Sequence, residues 1–216
     1  MVYKTVIFDL DGTLLDTLED LCDSTNFALE RFGFPTRSLA EVRSFVGNGI
    51  GKLIERALPE NAGGQTYGAV LAEFKRHYAE NCNNKTCLYV GIEELLRKLS
   101  ESGVKLAVVS NKVDSAVREL CEKYFGALVP VAIGEREGVR RKPAPDSVFA
   151  AMELLGAKKE ETVYIGDSEV DIETAKNAGI ELIAVSWGFR GRELLESLGA
   201  CKIADSAKEL EKMLLE

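Results

Sequence analysis

Thr5-Val6-Ile7-Phe8-Asp9-Leu10-Asp11-Gly12-Thr13 is the stretch that decides the fold of this chain. A β-branched and apolar run without alternation reads as a strand covered on both faces, which belongs in a parallel sheet flanked by helices. The acidic turn after it lies outside the strand's carboxyl end, where open parallel sheets bind ligands. Further along, comparable runs recur at residues 106–109, 163–165 and 182–185, with weaker ones at 129–133 and 202–203. The intervening periodicity predicts helices over 92–102, 114–124, 146–155, 169–178 and 191–198. Gly103, Gly126, Gly156, Gly179 and Gly199 punctuate their ends. This βαβ series predicts an α/β fold with a doubly wound, Rossmann-like parallel sheet.

One interval breaks the alternation. Leu18, Leu21, Cys22, Thr25 and Leu29 recur at helical spacing, followed by Leu53, Ile54 and Ala57, then by Val70, Leu71, Phe74 and Tyr78. No convincing strand lies among them. The expected organisation is an α/β catalytic core of residues 1–15 and 88–216 with a helical cap domain of residues 16–87 inserted into it. Linkers are expected near Leu15-Asp16 and over 87–91.

Composition narrows the function. The 216 residues are 46% hydrophobic and 29% charged, as in an ordinary folded domain. With 27 Lys and Arg against 35 Asp and Glu, the formal charge is −8. Such a surface repels nucleic-acid phosphates and anionic lipid, so neither is expected as a partner. No run approaches the roughly 18 apolar residues of a membrane span, and no signal-peptide pattern is present, so a cytoplasmic protein is expected. The cysteines at 22, 82, 87, 121 and 201 are odd in number and dispersed; they are expected to be reduced and structural, with no zinc site. The lone His77 reads as a helix surface residue, which leaves a Ser-His-Asp mechanism without support.

The chemistry gathers where the strands end. After the first come Asp9, Asp11 and Thr13; after the second, Ser110-Asn111-Lys112; a later loop carries Arg141-Lys142-Pro143; and residues 163–165 lead into Gly166-Asp167-Ser168-Glu169-Val170-Asp171. Four carboxylates, a hydroxyl, an amide and a lysine thus converge at one sheet edge. Carboxylates so close repel one another unless a cation joins them, and an all-oxygen donor set favours Mg²⁺. A hydroxyl, an amide and an ammonium beside that ion make a receptor for phosphate. A carboxylate can attack phosphorus to form an aspartyl-phosphate, and a second aspartate can move the protons. Taken singly, each motif also reads as a turn or a helix cap. Their order at the ends of one sheet argues for a site.

Asp9-Leu10-Asp11-Gly12-Thr13, Ser110, Lys142 and Gly166-Asp167-Ser168 with Asp171 resemble the four motifs of the haloacid dehalogenase superfamily, in its Mg²⁺-dependent phosphohydrolase branch. The resemblance implies that Asp9 is the nucleophile and Asp11 the acid/base, with the metal on Asp9, Asp167 and the Asp11 backbone carbonyl. It implies that Ser110 and Asn111 hold phosphate oxygens, that Lys142 neutralises charge, and that Asp171 supports the metal site indirectly. Within that branch, Val46-Gly47-Asn48-Gly49-Ile50 and Ser186-Trp187-Gly188-Phe189-Arg190 are similar to the phosphoglycolate phosphatases. This implies a small phosphorylated metabolite as substrate, with Gly47, Asn48 and Gly49 as substrate-binding residues, in a monomer or homodimer. Pyrophosphatases, sugar-phosphate phosphatases and β-phosphoglucomutase-type phosphotransferases share the same motifs. A dehalogenase would not need Asp11, and a phosphonate hydrolase would need a Schiff-base lysine, for which Lys52 is the candidate.

Overall fold

The computed structural model describes residues 3–60 and 62–216; Met1, Val2 and Asn61 lie outside them. The chain begins with β1 (Thr5–Phe8) and β2 (Leu15–Asp16), then α1 (Leu18–Arg31), α2 (Leu39–Phe45), α3 (Gly49–Ala57) and α4 (Gly64–Asn81). It continues with β3 (Cys87–Leu88), α5 (Ile92–Glu101), β4 (Lys105–Val113), α6 (Asp114–Phe125), β5 (Val131–Glu135) and α7 (Asp146–Leu155). The last elements are β6 (Thr162–Gly166), α8 (Glu169–Ala178), β7 (Glu181–Val185), α9 (Arg192–Ser197), β8 (Ile203–Ala204) and α10 (Ala207–Leu215). Residues 1–15 and 88–216 form one compact unit, and residues 16–87 a second. β2 and β3, which pair with each other, lie where the chain crosses between them.

The α/β unit carries a six-stranded sheet in the order β5-β4-β1-β6-β7-β8, and every recorded pairing in it is parallel. The strand order reverses at β1, whose neighbours are β4 and β6. Phe8 is level with Val108 on one side and Ile165 on the other. The residues just beyond these, Asp9, Ser110 and Asp167, are therefore delivered to one place, the switch point of the sheet.

Successive residues of β1 point to opposite faces. Val6 and Phe8 join Leu106, Val108, Val163 and Ile165 beneath Leu96, Leu99, Val117, Leu120 and Leu210. Ile7 joins Ala107, Val109 and Tyr164 beneath Val148, Ala151, Ala175 and Ala178 on the other face. Each large apolar side chain so buried contributes about 1.5–3 kcal/mol, which is why a strand without alternation is stable only inside two helical layers.

In the helical unit, Leu21, Ala28, Leu29, Val42, Leu53, Ile54, Val70, Phe74 and Tyr78 are buried. Ser38 caps α2 with a capping box to Glu41. The buried Asp20 carboxylate accepts from the Lys85 and Thr86 amides and from Thr86 Oγ1, tying the end of the unit back to α1.

Four expectations need correction. β4 runs to Val113, four residues past the apolar run, because a register shift between Val109 and Val113 lets polar residues continue the strand. α10 was not foreseen: Ser206 accepts from Glu209 N, and Ala207, Leu210 and Leu214 turn inward. His77 is half-buried, not a surface residue; its Nδ1 lies 3.0 Å from Ser24 Oγ and its ring stacks on Phe27 at 4.0 Å. All five cysteines are free, but Cys87 and Cys201 are exposed, so neither packs a core. Among the described residues no helix is long and apolar enough to cross a membrane.

Candidate active site

Asp9 follows β1, and its backbone N–H donates to the Ile165 carbonyl at 2.8 Å, which fixes the residue against β6. The chain then turns sharply: Leu15 N donates to Leu10 O and Gly12 N to Leu15 O. Gly12 sits at φ +88, and a Cβ there would lie 2.4 Å from Asp167 Oδ2. A Cβ on Gly188, in the loop after β7, would lie 2.2 Å from the Gly12 carbonyl and 2.4 Å from the same carboxylate oxygen. Two glycines thus allow three loops to close around Asp167, and the Phe189 N–H donates to Asp167 Oδ2 at 2.6 Å.

Lys142 is the centre of charge. Only 4% exposed, its Nζ donates to Asp9 Oδ1 at 2.8 Å, Asp171 Oδ1 at 2.8 Å and Tyr164 Oη at 2.9 Å. The loop bearing it is held by two amides: Asn111 Nδ2 donates to the Lys142 carbonyl at 3.0 Å, and Asn177 Nδ2 to that of Pro143 at 2.9 Å. Asn111 was expected to grip phosphate. One of its two Nδ2 protons holds the backbone of this loop, and its buried Oδ1 has no partner among the described residues. Ser110 Oγ accepts from Lys112 N at 3.2 Å and keeps its own proton to give.

Asp9, Asp167 and Asp171 offer carboxylate oxygens within 4.8 Å of one another. A carboxylate has about four lone-pair sites. Asp171 spends them on protein: Lys142 Nζ and Tyr164 Oη donate to Oδ1, and Asp167 N, Ser168 N and Ser168 Oγ to Oδ2. The contact from Ser168 N is also half of the capping box that closes the N-terminus of α8. Asp167 takes only Phe189 N and, at 3.4 Å, Thr13 Oγ1. Asp9 takes only Lys142 on its side chain, so Oδ2 has no protein donor among the described residues. Asp9 and Asp167 keep room for a cation; Asp171 does not. The Asp11 carboxylate stands apart from this cluster and accepts from Lys112 Nζ at 2.9 Å.

Electrostatics agree with the lone-pair count. Burial, opposed by Lys142 and reinforced by Asp171 and Asp11, lifts the Asp9 carboxyl to about 7. Burial first, then Asp171 and Asp9, push Asp167 well above the usual carboxylate range. Burial would lower the Lys142 ammonium, but Asp171 and Asp9 outweigh it and hold the group well above its ordinary value. A cation site needs its carboxylates ionised, and Asp9, Asp167 and Asp171 against Lys142 would then leave two negative charges, which one divalent cation cancels. The hard-oxygen donor set fits Mg²⁺.

Sequence reasoning missed Lys112, Tyr164 and Gly188 as site residues. Tyr164 is fully buried in β6 and was visible only as one more strand residue. The expected substrate residues Gly47 and Asn48 lie between α2 and α3 in the helical unit and Gly49 opens α3, at φ 120, 62 and 80. Asn48 is the one non-glycine residue with positive φ among those described. Lys52 pairs with Glu55 at 2.7 Å on an exposed helix face.

Comparison with known proteins agrees with this geometry. Residues 6–185 match the family described as Haloacid dehalogenase-like hydrolase. A protein of Pseudomonas syringae pv. tomato named phosphoglycolate phosphatase is 35% identical over 209 residues, covering 94% of this chain and 76% of that one. Another so named, from Vibrio parahaemolyticus, is 34% identical over 217 residues, covering 96% and 94%. A crystal structure from Lactobacillus delbrueckii subsp. bulgaricus, provisionally named a phosphoglycolate phosphatase, superposes with a TM-score of 0.96 at 39% identity, over 100% of this chain and 99% of that one. With its carboxylates and lysines gathered at the switch point of a parallel sheet, this chain belongs to the haloacid dehalogenase-like hydrolase family and is an enzyme of the phosphatase kind.

Proposed function

We propose that this enzyme is a Mg²⁺-dependent phosphate monoester hydrolase that works through an aspartyl-phosphate on Asp9, with 2-phosphoglycolate as its substrate. One observation carries the reading: Asp9 is gripped by Lys142 through Oδ1, while Oδ2 has no protein donor among the described residues. A carboxylate so placed is oriented and still nucleophilic. Asp9 Oδ2 attacks phosphorus as the ester P–O bond breaks, and Asp11 protonates the departing oxygen. Asp11 then takes a proton from water as that water attacks the phosphoryl group, which frees phosphate and restores Asp9. Lys142 and the Ser110 hydroxyl face the phosphoryl oxygens, and Lys142 offsets the charge that gathers there. Mg²⁺, held by Asp9, Asp167 and the Asp11 carbonyl, would draw negative charge from both carboxylates and phosphate.

The choice of substrate rests on the names of the relatives, and the shared chemistry of the family leaves it to assay. Phosphate release is measured from 2-phosphoglycolate, pyrophosphate, hexose phosphates and nucleotides, in Mg²⁺ and in EDTA. The expected result is Mg²⁺-dependent release with the highest kcat/KM on 2-phosphoglycolate. Full activity in EDTA after metal stripping contradicts the metal role. A preference for pyrophosphate or a hexose phosphate contradicts the substrate and leaves the mechanism standing.

A further inference from the structure

We infer that Lys112 is a positioning residue for Asp11: it anchors one oxygen of that carboxylate so that the other is aimed for proton transfer. This rests on the phosphatase reading above. The geometry is specific. Lys112 Nζ donates to Asp11 Oδ1 at 2.9 Å, with side-chain exposures of only 5% and 19%. No other hydrogen bond or ion pair holds the Asp11 carboxylate, so Oδ2 has no protein donor among the described residues.

Burying an ammonium is costly unless a carboxylate and good geometry compensate it, and Lys142 already serves Asp9 and Asp171. A second buried lysine is not needed to neutralise the Asp9–Asp167–Asp171 cluster. It stands at the end of β4, on the continuation past Val109 where the strand shifts register. That irregularity carries Ser110, Asn111 and Lys112 to the sheet edge, and Ser110 Oγ accepts from the Lys112 amide at 3.2 Å. One short segment therefore offers a phosphate-facing hydroxyl, locks the Lys142 loop through Asn111, and holds the acid/base.

Position matters for such a group. A general acid must lie within hydrogen-bond reach of the departing oxygen, and Asp11 lies on a turn with several rotamers open to it. An anchor on one oxygen removes that freedom and leaves the working oxygen bare. The benefit depends on the leaving group. An alkoxide needs its proton; an activated aryl oxide departs without it.

The experiment compares wild type, Lys112→Met, Lys112→Arg, Asp11→Asn and the Lys112→Met/Asp11→Asn double variant in saturating Mg²⁺. Substrates are phosphate esters graded from alkyl to nitrophenyl leaving groups. Misplacing an acid/base forfeits part of the roughly 10²–10⁴-fold such groups contribute. Lys112→Met is expected to lose about 10–100-fold in kcat on alkyl esters, with KM little changed, and under about 3-fold on the nitrophenyl ester. Lys112→Arg is expected to restore most of the loss. In the Asp11→Asn background, Lys112→Met is expected to add nothing on any ester. A uniform loss across the series, or additive effects of the two substitutions, overturns the inference while leaving the phosphatase reading intact. A wild type that hydrolyses no ester of the series overturns both.

Discussion

Asp9 shows how much a single residue bears. Burial raises its carboxyl from 3.8 to about 7, a shift worth about 4 kcal/mol. The folded protein therefore binds that proton more tightly than the unfolded chain does. Between those pH values the native state holds more protons, so metal-free stability falls as pH rises from about 4 to about 7. Asp9→Asn removes this dependence. In chelator at pH 8 the variant is expected to melt about 8–16 °C above wild type, given roughly 2–4 °C per kcal/mol at this size. At pH 4 the two should melt together, and Mg²⁺ should raise wild type only. Thermal melts across pH check this; a variant that melts lower than wild type in chelator at pH 8 contradicts it. The same residue is legible in the sequence less by itself, since an aspartate after an apolar run also reads as a turn, than through the other strand-end motifs that fall in order with it. Lys112 was less legible: nothing in Ser110-Asn111-Lys112 shows which carboxylate the lysine meets until β1 and β4 are paired.

At the scale of elements, the sheet was read from runs that its two helical layers require to be apolar throughout. β1, β6 and β7 were found that way, and α7 and α8 from their periodicity. β4 was cut short because a bulged strand end changes from apolar to polar while staying in the sheet. The two-residue strands β2 and β3 carry too little pattern to be seen. What joins the elements into a site is also invisible in pattern, since glycine reports an empty space. Gly188 lies in a segment that carries the family resemblance but offers no chemistry of its own to read, yet its missing side chain lets the loop after β7 lie on Gly12 and Asp167. Gly188→Ala is expected to push these loops apart, with a stability cost of about 1–3 kcal/mol. Mg²⁺ affinity should fall at least about tenfold, because Asp167 would leave the hydrogen bond from Phe189 that sets its direction. Calorimetric titration of Mg²⁺ together with denaturant unfolding measures both effects. Unchanged affinity in a folded variant would show that the loops do not set the metal site.

For the whole molecule, the candidate site lies in the α/β unit of residues 1–15 and 88–216, on the turn after β1, the end of β4, the loop before α7 and the turn after β6. The acidic chain as a whole repels phosphate, while Lys142 and Lys112 offset that charge locally and the proposed Mg²⁺ would cancel what remains. The central claim is covalent: the phosphoryl group rests on Asp9 between two half-reactions. The direct measurement is rapid acid quenching of enzyme, Mg²⁺ and 2-phosphoglycolate within one turnover, followed by peptide mass spectrometry. A phosphoryl group on the peptide containing Asp9, absent in Asp9→Asn and longer-lived in Asp11→Asn, is the result this account predicts. Turnover by wild type with the phosphoryl group on another residue, or an active Asp9→Asn enzyme, would contradict it.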